Sequence, residues 1–236
     1  MATIDGFLAE WKSGKPMIEA HTSGSTGTPK PISLHKSDML VSARATNKYF
    51  GIGHDSVLAL PLSVDYIAGK MMVVRAQAAG CKLVQLPVSN DIAIPDDIDH
   101  IDLLPIVPSQ IASLLSQPQL ATKIQNVLIG GASPSPEDCH QLTLCGYKAF
   151  ISYGMTETCS HVALAHADDS RRVFFAMPGI SFATDADSRL IIEAPEYTFK
   201  SLVTNDIATL LSPNAMIWRG RADGIINSGG LKLVPE

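Results

Sequence analysis

The chain has 236 residues, 46% hydrophobic and 17% charged, a balance that supports a substantial buried core in one large or two smaller domains. A formal net charge of -5, with basic residues scattered apart from Arg171–Arg172 and Arg219/Arg221, argues against nucleic acid as a partner, because no dense basic stripe can meet phosphates. No apolar run approaches the ~20 residues of a membrane span, and the N-terminus lacks a signal-peptide core, so a cytoplasmic protein without membrane contact is expected.

In chain order, Ile4, Phe7, Leu8 and Trp11 follow helical spacing and predict an amphipathic N-terminal helix. "SVLALPL" (56–62) predicts a buried strand, and "AGKMMVVRAQAAG" a helix ending at Gly80. "CKLVQLP" is a strand, "SNDIAIPDDIDH" an acidic loop, and "IDLLPIVP" another strand. "SQIASLLSQ" reads as a short helix capped by Ser109, "NVLIGG" as a strand, "SPEDCHQLTL" as a helix and "KAFISYG" as a strand. Strands separated by helix-length segments predict βαβ units and a largely parallel sheet with right-handed connections.

After about residue 170 the pattern shortens. "RLIIEAP", "YTFKSLVTND", "ATLLS" and "AMIWRGR" predict an antiparallel meander or small barrel, and "GIINSGGLKLVPE" a strand–turn–strand signal. Cys81, Cys139, Cys145 and Cys159 form no CxxC pair and no zinc-spaced cluster, so reduced, structural thiols are expected. Oligomeric state is not legible.

The run "TSGSTGTPK" (22–30) concentrates hydroxyls, glycines and one lysine. Such a composition suits a phosphate-binding loop. Gly24 and Gly27 let main-chain N–H groups approach phosphate oxygens, Ser23, Ser25, Thr26 and Thr28 add donors, and Lys30 adds a cation. It is not the Walker A pattern, and taken alone the same composition also suits a flexible linker.

Four ordered segments give this run a specific context. "TSGSTGTPK" resembles the phosphate-loop signature of the adenylate-forming enzymes, which include acyl-CoA synthetases, luciferases and peptide-synthetase adenylation domains. "NVLIGGA" (126–132) resembles the strand–loop flanking adenine in that family, and "ISYGMTET" (151–158) its YGxTE motif. "TNDIA" and "WRGRADGIINSGGLKLVPE" resemble its TGD and GRxDxxIxxxGxKxxPxE segments, with Asn205 where the family usually has glycine.

The resemblance implies the layered αβαβα fold of the large acyl-CoA synthetase domain, with mostly parallel sheets and a small antiparallel region. It implies an AMP-binding large domain over 1–218 and a hinge with the start of a small domain over 219–236. Asp223 falls at the hinge, and with 13 residues after it the small domain and its lysine are expected to be absent. Such a chain is expected to bind nucleotide and acid better than it catalyses.

It further implies ATP, magnesium and coenzyme A as reactants for activating a small-molecule carboxylic acid. Thr22, Ser23, Gly24, Ser25, Thr26, Gly27 and Lys30 would hold the β- and γ-phosphates, and Glu157 would help hold magnesium. Thr156 would meet the α-phosphate, Tyr153 would stack on adenine within Ser152–Tyr153–Gly154, and Gly130, Gly131 and Ala132 would border the cleft. Asp206 would accept ribose hydroxyls with Arg221 nearby. Individually, Glu157 also suits a helix start, Tyr153 a core aromatic and Asp206 a turn.

"YGMTETCSH" (153–161) resembles the version of the motif in o-succinylbenzoate-CoA ligases of menaquinone synthesis. That substrate carries a second carboxylate, for which Lys70, Arg75, Ser160 and His161 are candidates; Arg75 also suits a snorkelling helix residue and His161 a satisfied polar one. An aryl- or amino-acid adenylation domain loading a carrier protein stays open, with Asp65 as the candidate for an α-amine, as does a nucleotide-binding module without turnover.

Overall fold

The computed structural model describes residues 2–21, 31–224, 226–228 and 231–233, with backbone only for His21 and the last two segments. The N-terminal helix α1 (Ile4–Lys12) starts at Thr3, whose side chain accepts from Gly6 N–H, and buries Phe7. A hairpin follows, β1 (Met17–His21) antiparallel to β2 (Pro31–His35). His21 pairs with Pro31, so the Ser/Thr/Gly/Lys run 22–30 links the paired ends of this hairpin and itself lies outside the described residues.

Helix α2 (Lys36–Phe50) ends at Gly51 in the left-handed region. Apolar periodicity does not announce it, because its buried face carries Asp38, Ser42, Thr46 and Asn47 among Met39, Ala43 and Phe50. Next come β3 (Val57–Leu60), α3 (Ile67–Ala79), β4 (Lys82–Gln85) and β5 (Leu104–Ile106). Gly80 closes α3 at φ 66°, as its sequence position predicts. Helix α4 (Ile111–Leu115) is preceded by a tight 3-10 turn, Pro108–Gln110, which changes the expected cap. Pro108 opens that turn, and Ser109 Oγ instead donates to Asn90 Oδ1 at 2.9 Å.

Strand β6 (Val127–Ile129), helix α5 (Pro136–Leu144) and strand β7 (Ala149–Met155) complete the parallel part. Strands β3 and β4 pair in parallel, a parallel bridge joins Leu58 to Leu103 just before β5, and β5, β6 and β7 pair in parallel. Helix α3 packs on β3, β4 and β8, and α2 packs on α3 and β8.

Beyond β7 the chain reverses. β8 (Ser160–His166), β9 (Val173–Ala176), β10 (Ser181–Thr184), β11 (Arg189–Ala194), β12 (Lys200–Ser212) and β13 (Ala215–Arg221) pair antiparallel in the order β10-β11-β12-β13-β9-β8-β7. β14 (Ile226–Ser228) and β15 (Leu231–Leu233) form the predicted terminal hairpin.

The layered α/β class is therefore the one expected, with an antiparallel region more extensive than the sequence indicates. "YTFKSLVTND" and "ATLLS" contribute to one strand rather than two, because Asn205–Asp206 stays in the ladder opposite Arg221. A bulge between Ile207 and Ala208 absorbs the irregularity.

Ser135 caps α5 by accepting from Asp138 N–H at 3.0 Å, with Pro136 at the first helical position. Ser135→Ala is expected to lower stability by about 1 kcal/mol, which thermal unfolding would register as a fall of about 2–4 °C.

Candidate functional site

Parallel α/β sheets offer ligand sites at the carboxyl ends of their strands, where backbone donors and loops converge. Here β6 runs into Gly130–Gly131–Ala132 and the neighbouring β7 runs into Gly154–Met155–Thr156–Glu157. Ser152 Oγ donates to Ile129 O at 2.9 Å and ties the two ends together. A Cβ at Gly130 would crowd that hydroxyl at 3.0 Å, and Gly131 sits at φ 81°, a backbone conformation that favours glycine. Thr156 is buried and Glu157 exposed on the one-turn helix Thr156–Thr158, which packs against β2. Strand β2, which follows the 22–30 segment in the chain, and the Glu157 turn are thus neighbours.

Tyr153 donates its hydroxyl to Asp206 Oδ2 at 2.7 Å, joining β7 to β12. Trp218 Nε1 donates to Asp206 Oδ1 at 3.1 Å. The Asp206 backbone N–H donates to Thr204 Oγ1, whose own proton goes to Leu190 O. Burial, and then the adjacent Asp206 carboxylate, pushes the Tyr153 phenol far above its usual range, so it stays a proton donor. The Tyr153 ring meets Phe174 edge-on, with centroids 5.9 Å apart. Arg221 lies opposite Asp206 in the ladder but forks onto Asp223, and that hydrogen-bonded carboxylate raises the guanidinium pKa. Trp218 is the member of this group that the sequence did not single out, since nothing in "AMIWRGR" shows where its N–H points.

A second group lies on the other side of β7. Gly154 pairs with His161 on β8, and a Cβ on Gly154 would fall 2.1 Å from Ser160 O. Cys159 and Ser160 follow with φ of 56° and 106°, a turn that L-residues rarely adopt. This turn presents Ser160 and His161 to Arg75 of α3. Arg75 is 1% exposed. Its Nη2 reaches Ser160 Oγ at 3.3 Å and His161 Nδ1 at 3.4 Å, Nη1 meets Met72 Sδ, and Nε is buried with no partner among the described residues.

Among the described residues no carboxylate pairs with this guanidinium, and burial lowers its pKa to about 10. Thr46 Oγ1 donates to Ser42 O, so it accepts from His161 Nε2 at 3.1 Å, which leaves Nδ1 as the acceptor toward Arg75. Burial, then the nearby Arg75 charge, holds His161 well below its ordinary pKa and therefore neutral.

The remaining candidates are placed apart. Lys70, buried near the start of α3, holds its ammonium 4.9 Å above the Phe7 ring of α1, away from the Arg75 group. Asp65, the candidate for an α-amine, accepts instead from Ala2 N–H at 2.7 Å and Ser63 Oγ at 2.9 Å. Thr22, Ser23, Gly24, Ser25, Thr26, Gly27 and Lys30 lie outside the described residues. Those described include no group of three or more His, Cys, Asp and Glu arranged to hold a metal, and no helix long and apolar enough to cross a membrane.

Comparison with known proteins bears on this geometry directly. The AMP-binding enzyme family matches residues 9–184. This chain belongs to that family. As an AMP-binding enzyme it is 27% identical over 155 residues to the 2-succinylbenzoate–CoA ligase of Enterococcus faecalis, covering 64% of this chain and 32% of that ligase. The chain spans about a third of the length of the curated ligases it matches.

Among solved structures, the acyl-CoA synthetase (AMP-forming)/AMP-acid ligase II-like protein of Dyadobacter fermentans has a TM-score of 0.82 and 34% identity, covering 97% of this chain and 66% of that one. The o-succinylbenzoate CoA synthetase of Bacillus subtilis in complex with ATP and magnesium ion has a TM-score of 0.74 at 20% identity, covering 92% and 52%. The latter shows the shared fold.

The depressed histidine gives a stability signature. Below pH ~6.5 the unfolded chain protonates His161 while the folded chain keeps it neutral, so the unfolded state binds more protons and stability falls as pH drops. This one group contributes a slope of up to about 1.4 kcal/mol per pH unit. His161→Gln, which can donate to Thr46 and accept from Arg75, is expected to flatten the wild-type decline between pH 7 and 5 in urea denaturation.

Proposed function

We propose that this AMP-binding enzyme is the nucleotide- and acid-binding body of an AMP-forming acid–CoA ligase, and that its acid is o-succinylbenzoate. Residues 1–218 correspond to the large domain and 219–236 to the hinge region around Asp223. The reading rests on one arrangement: β2, the strand that follows the Ser/Thr/Gly/Lys segment, packs against the Thr156–Thr158 turn, where β6 and β7 end side by side.

A carboxylate attacking the α-phosphate of ATP must overcome repulsion between two anions, so positioning and charge neutralisation dominate the barrier. Thr22, Ser23, Gly24, Ser25, Thr26, Gly27 and Lys30 supply donors and a cation for the β- and γ-phosphates, and Thr156 faces the α-phosphate. Glu157 is exposed and offers a hard oxygen ligand, which fits an ion that keeps several waters and phosphate oxygens. Magnesium bound there would neutralise phosphate charge.

Tyr153 lies along adenine, Gly130, Gly131, Ala132, Ser152 and Gly154 keep the cleft open, and Asp206 takes the ribose hydroxyls beside Arg221. The acid oxygen bonds to the α-phosphorus as pyrophosphate leaves. The coenzyme A thiol then bonds to the acyl carbon as AMP leaves.

Arg75 supports the choice of acid. A buried guanidinium with an unpartnered Nε and only neutral acceptors suits the carboxylate of o-succinylbenzoate that does not react, with Ser160 as a further donor and neutral His161 orienting the cation. The 2-succinylbenzoate–CoA ligase relative points the same way. Commitment of Asp65 to Ala2 and Ser63 disfavours an amino-acid substrate.

Calorimetric titration in the presence of ATP analogue is expected to show o-succinylbenzoate binding at least about tenfold more tightly than benzoate or a medium-chain fatty acid. Arg75→Gln should abolish that preference, and equal binding of the simple acids by the wild type would overturn the substrate. Glu157→Gln is expected to slow acyl-adenylate formation, followed by hydroxamate trapping, by about 10²-fold. An unchanged rate across magnesium concentrations would give that carboxylate another role.

A further inference from the structure

Asp206 is 6% exposed, and each of its carboxylate oxygens already accepts one hydrogen bond from a neutral donor on a different strand. Tyr153 holds Oδ2 from β7 and Trp218 holds Oδ1 from β13. Arg221, the cation directly opposite in the ladder, is turned onto Asp223. The sheet geometry explains the Trp218 contact. Ile207 pairs with Gly220 and Ala208 with Trp218, so Arg219 is the extra residue of the bulge. Asp206 is two residues from Ala208, the direct partner of Trp218, so Trp218 lies diagonally across from Asp206, within reach of a long side chain.

An aspartate carboxyl rotates freely about its last torsion unless partners hold it, because that torsion has no sharp staggered wells. One donor would pin one oxygen. Two donors on different oxygens fix the plane. A carboxylate accepts about four hydrogen bonds, so among the described residues each oxygen keeps one unused acceptor position. Two fixed acceptors side by side match a vicinal diol, which is what a ribose ring presents.

We propose that Trp218 is a positioning residue for the ribose of a bound nucleotide, locking Asp206 so that the site selects ribonucleotides over deoxyribonucleotides. This rests on the nucleotide-binding reading given above. Trp218 is 37% exposed although its N–H is engaged on Asp206, so its ring stays partly open to solvent. The selectivity arises through Asp206, because Trp218 adds no donor of its own to the sugar.

The test is calorimetric titration of this chain with AMP, 2′-deoxy-AMP and 3′-deoxy-AMP. The wild type is expected to bind AMP at least about tenfold more tightly than either deoxynucleotide, since each lost hydroxyl removes a hydrogen bond to a charged acceptor. Trp218→Phe keeps an aromatic ring but loses the donor. It is expected to weaken AMP about tenfold while leaving the deoxynucleotides within about twofold, so that the ribo/deoxy ratio collapses. A general loss of packing would weaken all three ligands together and leave the ratio unchanged, and that result overturns the role of Trp218 alone. Failure of the wild type to bind AMP overturns the nucleotide reading and this inference with it.

A second measurement needs no change at Trp218. The chain has two tryptophans, so Trp11→Phe leaves Trp218 as the sole indole. Its emission is expected to change as the ribose loads the carboxylate that its N–H holds, and an unaltered spectrum at saturating AMP would overturn the placing of the ribose at Asp206.

Discussion

The close approach of β7 to β8 at Gly154 is the constraint on which the rest of the site depends. β7 is parallel to β6 on one edge and antiparallel to β8 on the other, so it is the strand at which the sheet changes character. The chain must reverse within a few residues of the end of β7. It does so through the Thr156–Thr158 turn and two residues at positive φ, with Ser160 O pressed so near Gly154 that no side chain fits between them. Thr158 stabilises the reversal from within, accepting from Met155 N–H and donating to Ser160 O. One strand end therefore faces two ways, with Tyr153 and Asp206 on one side and Arg75 with His161 on the other.

The two sides differ electrically. On the first, a carboxylate is held by neutral donors, and the nearest cation is neutralised by its own acidic neighbour, Asp223. On the second, a cation is held by neutral acceptors, while the buried Asp38 of α2 is spent on the backbone and hydroxyl of Thr198. Burying an ion without a counter-ion is costly, and removing its hydrogen-bond partners would cost more. Among the described residues, the two flanks of this strand end thus carry a carboxylate held by neutral donors and a guanidinium held by neutral acceptors, the pair of charges on which the proposed ribose and acid contacts rest.

Much of the scaffold was legible before any coordinates. Val57–Leu60, Leu104–Ile106, Val127–Ile129 and Ala149–Met155 are short apolar runs punctuated by Gly, Pro or Ser, and α5 carries its own cap. Helix α2 was not legible, since the polar side chains on its buried face serve the interior rather than water. The pairing of Arg75 with Ser160 and His161 was half legible. The residue types stood in the sequence, but Lys70 looked equally suitable until α1 brought Phe7 over its ammonium. The contact between Asp206 and Trp218 depends on a bulge that shifts register by one residue, and no composition signals it.

By itself the sequence determined the chemical inventory of this protein: the Ser/Thr/Gly/Lys run, the YGxTE-like segment, the glycines after β6, and the alternation that commits residues 56–155 to a parallel α/β layer. These are local properties, set by hydrogen-bonding groups, backbone freedom and periodicity within a few residues. The tertiary structure alone decided which oxygens of Asp206 are taken, which cation lost its counter-ion, and how far the antiparallel sheet extends. Those outcomes arise from contacts between residues up to 160 positions apart, as between Asp38 and Thr198, and they exist only once the strands have chosen their partners.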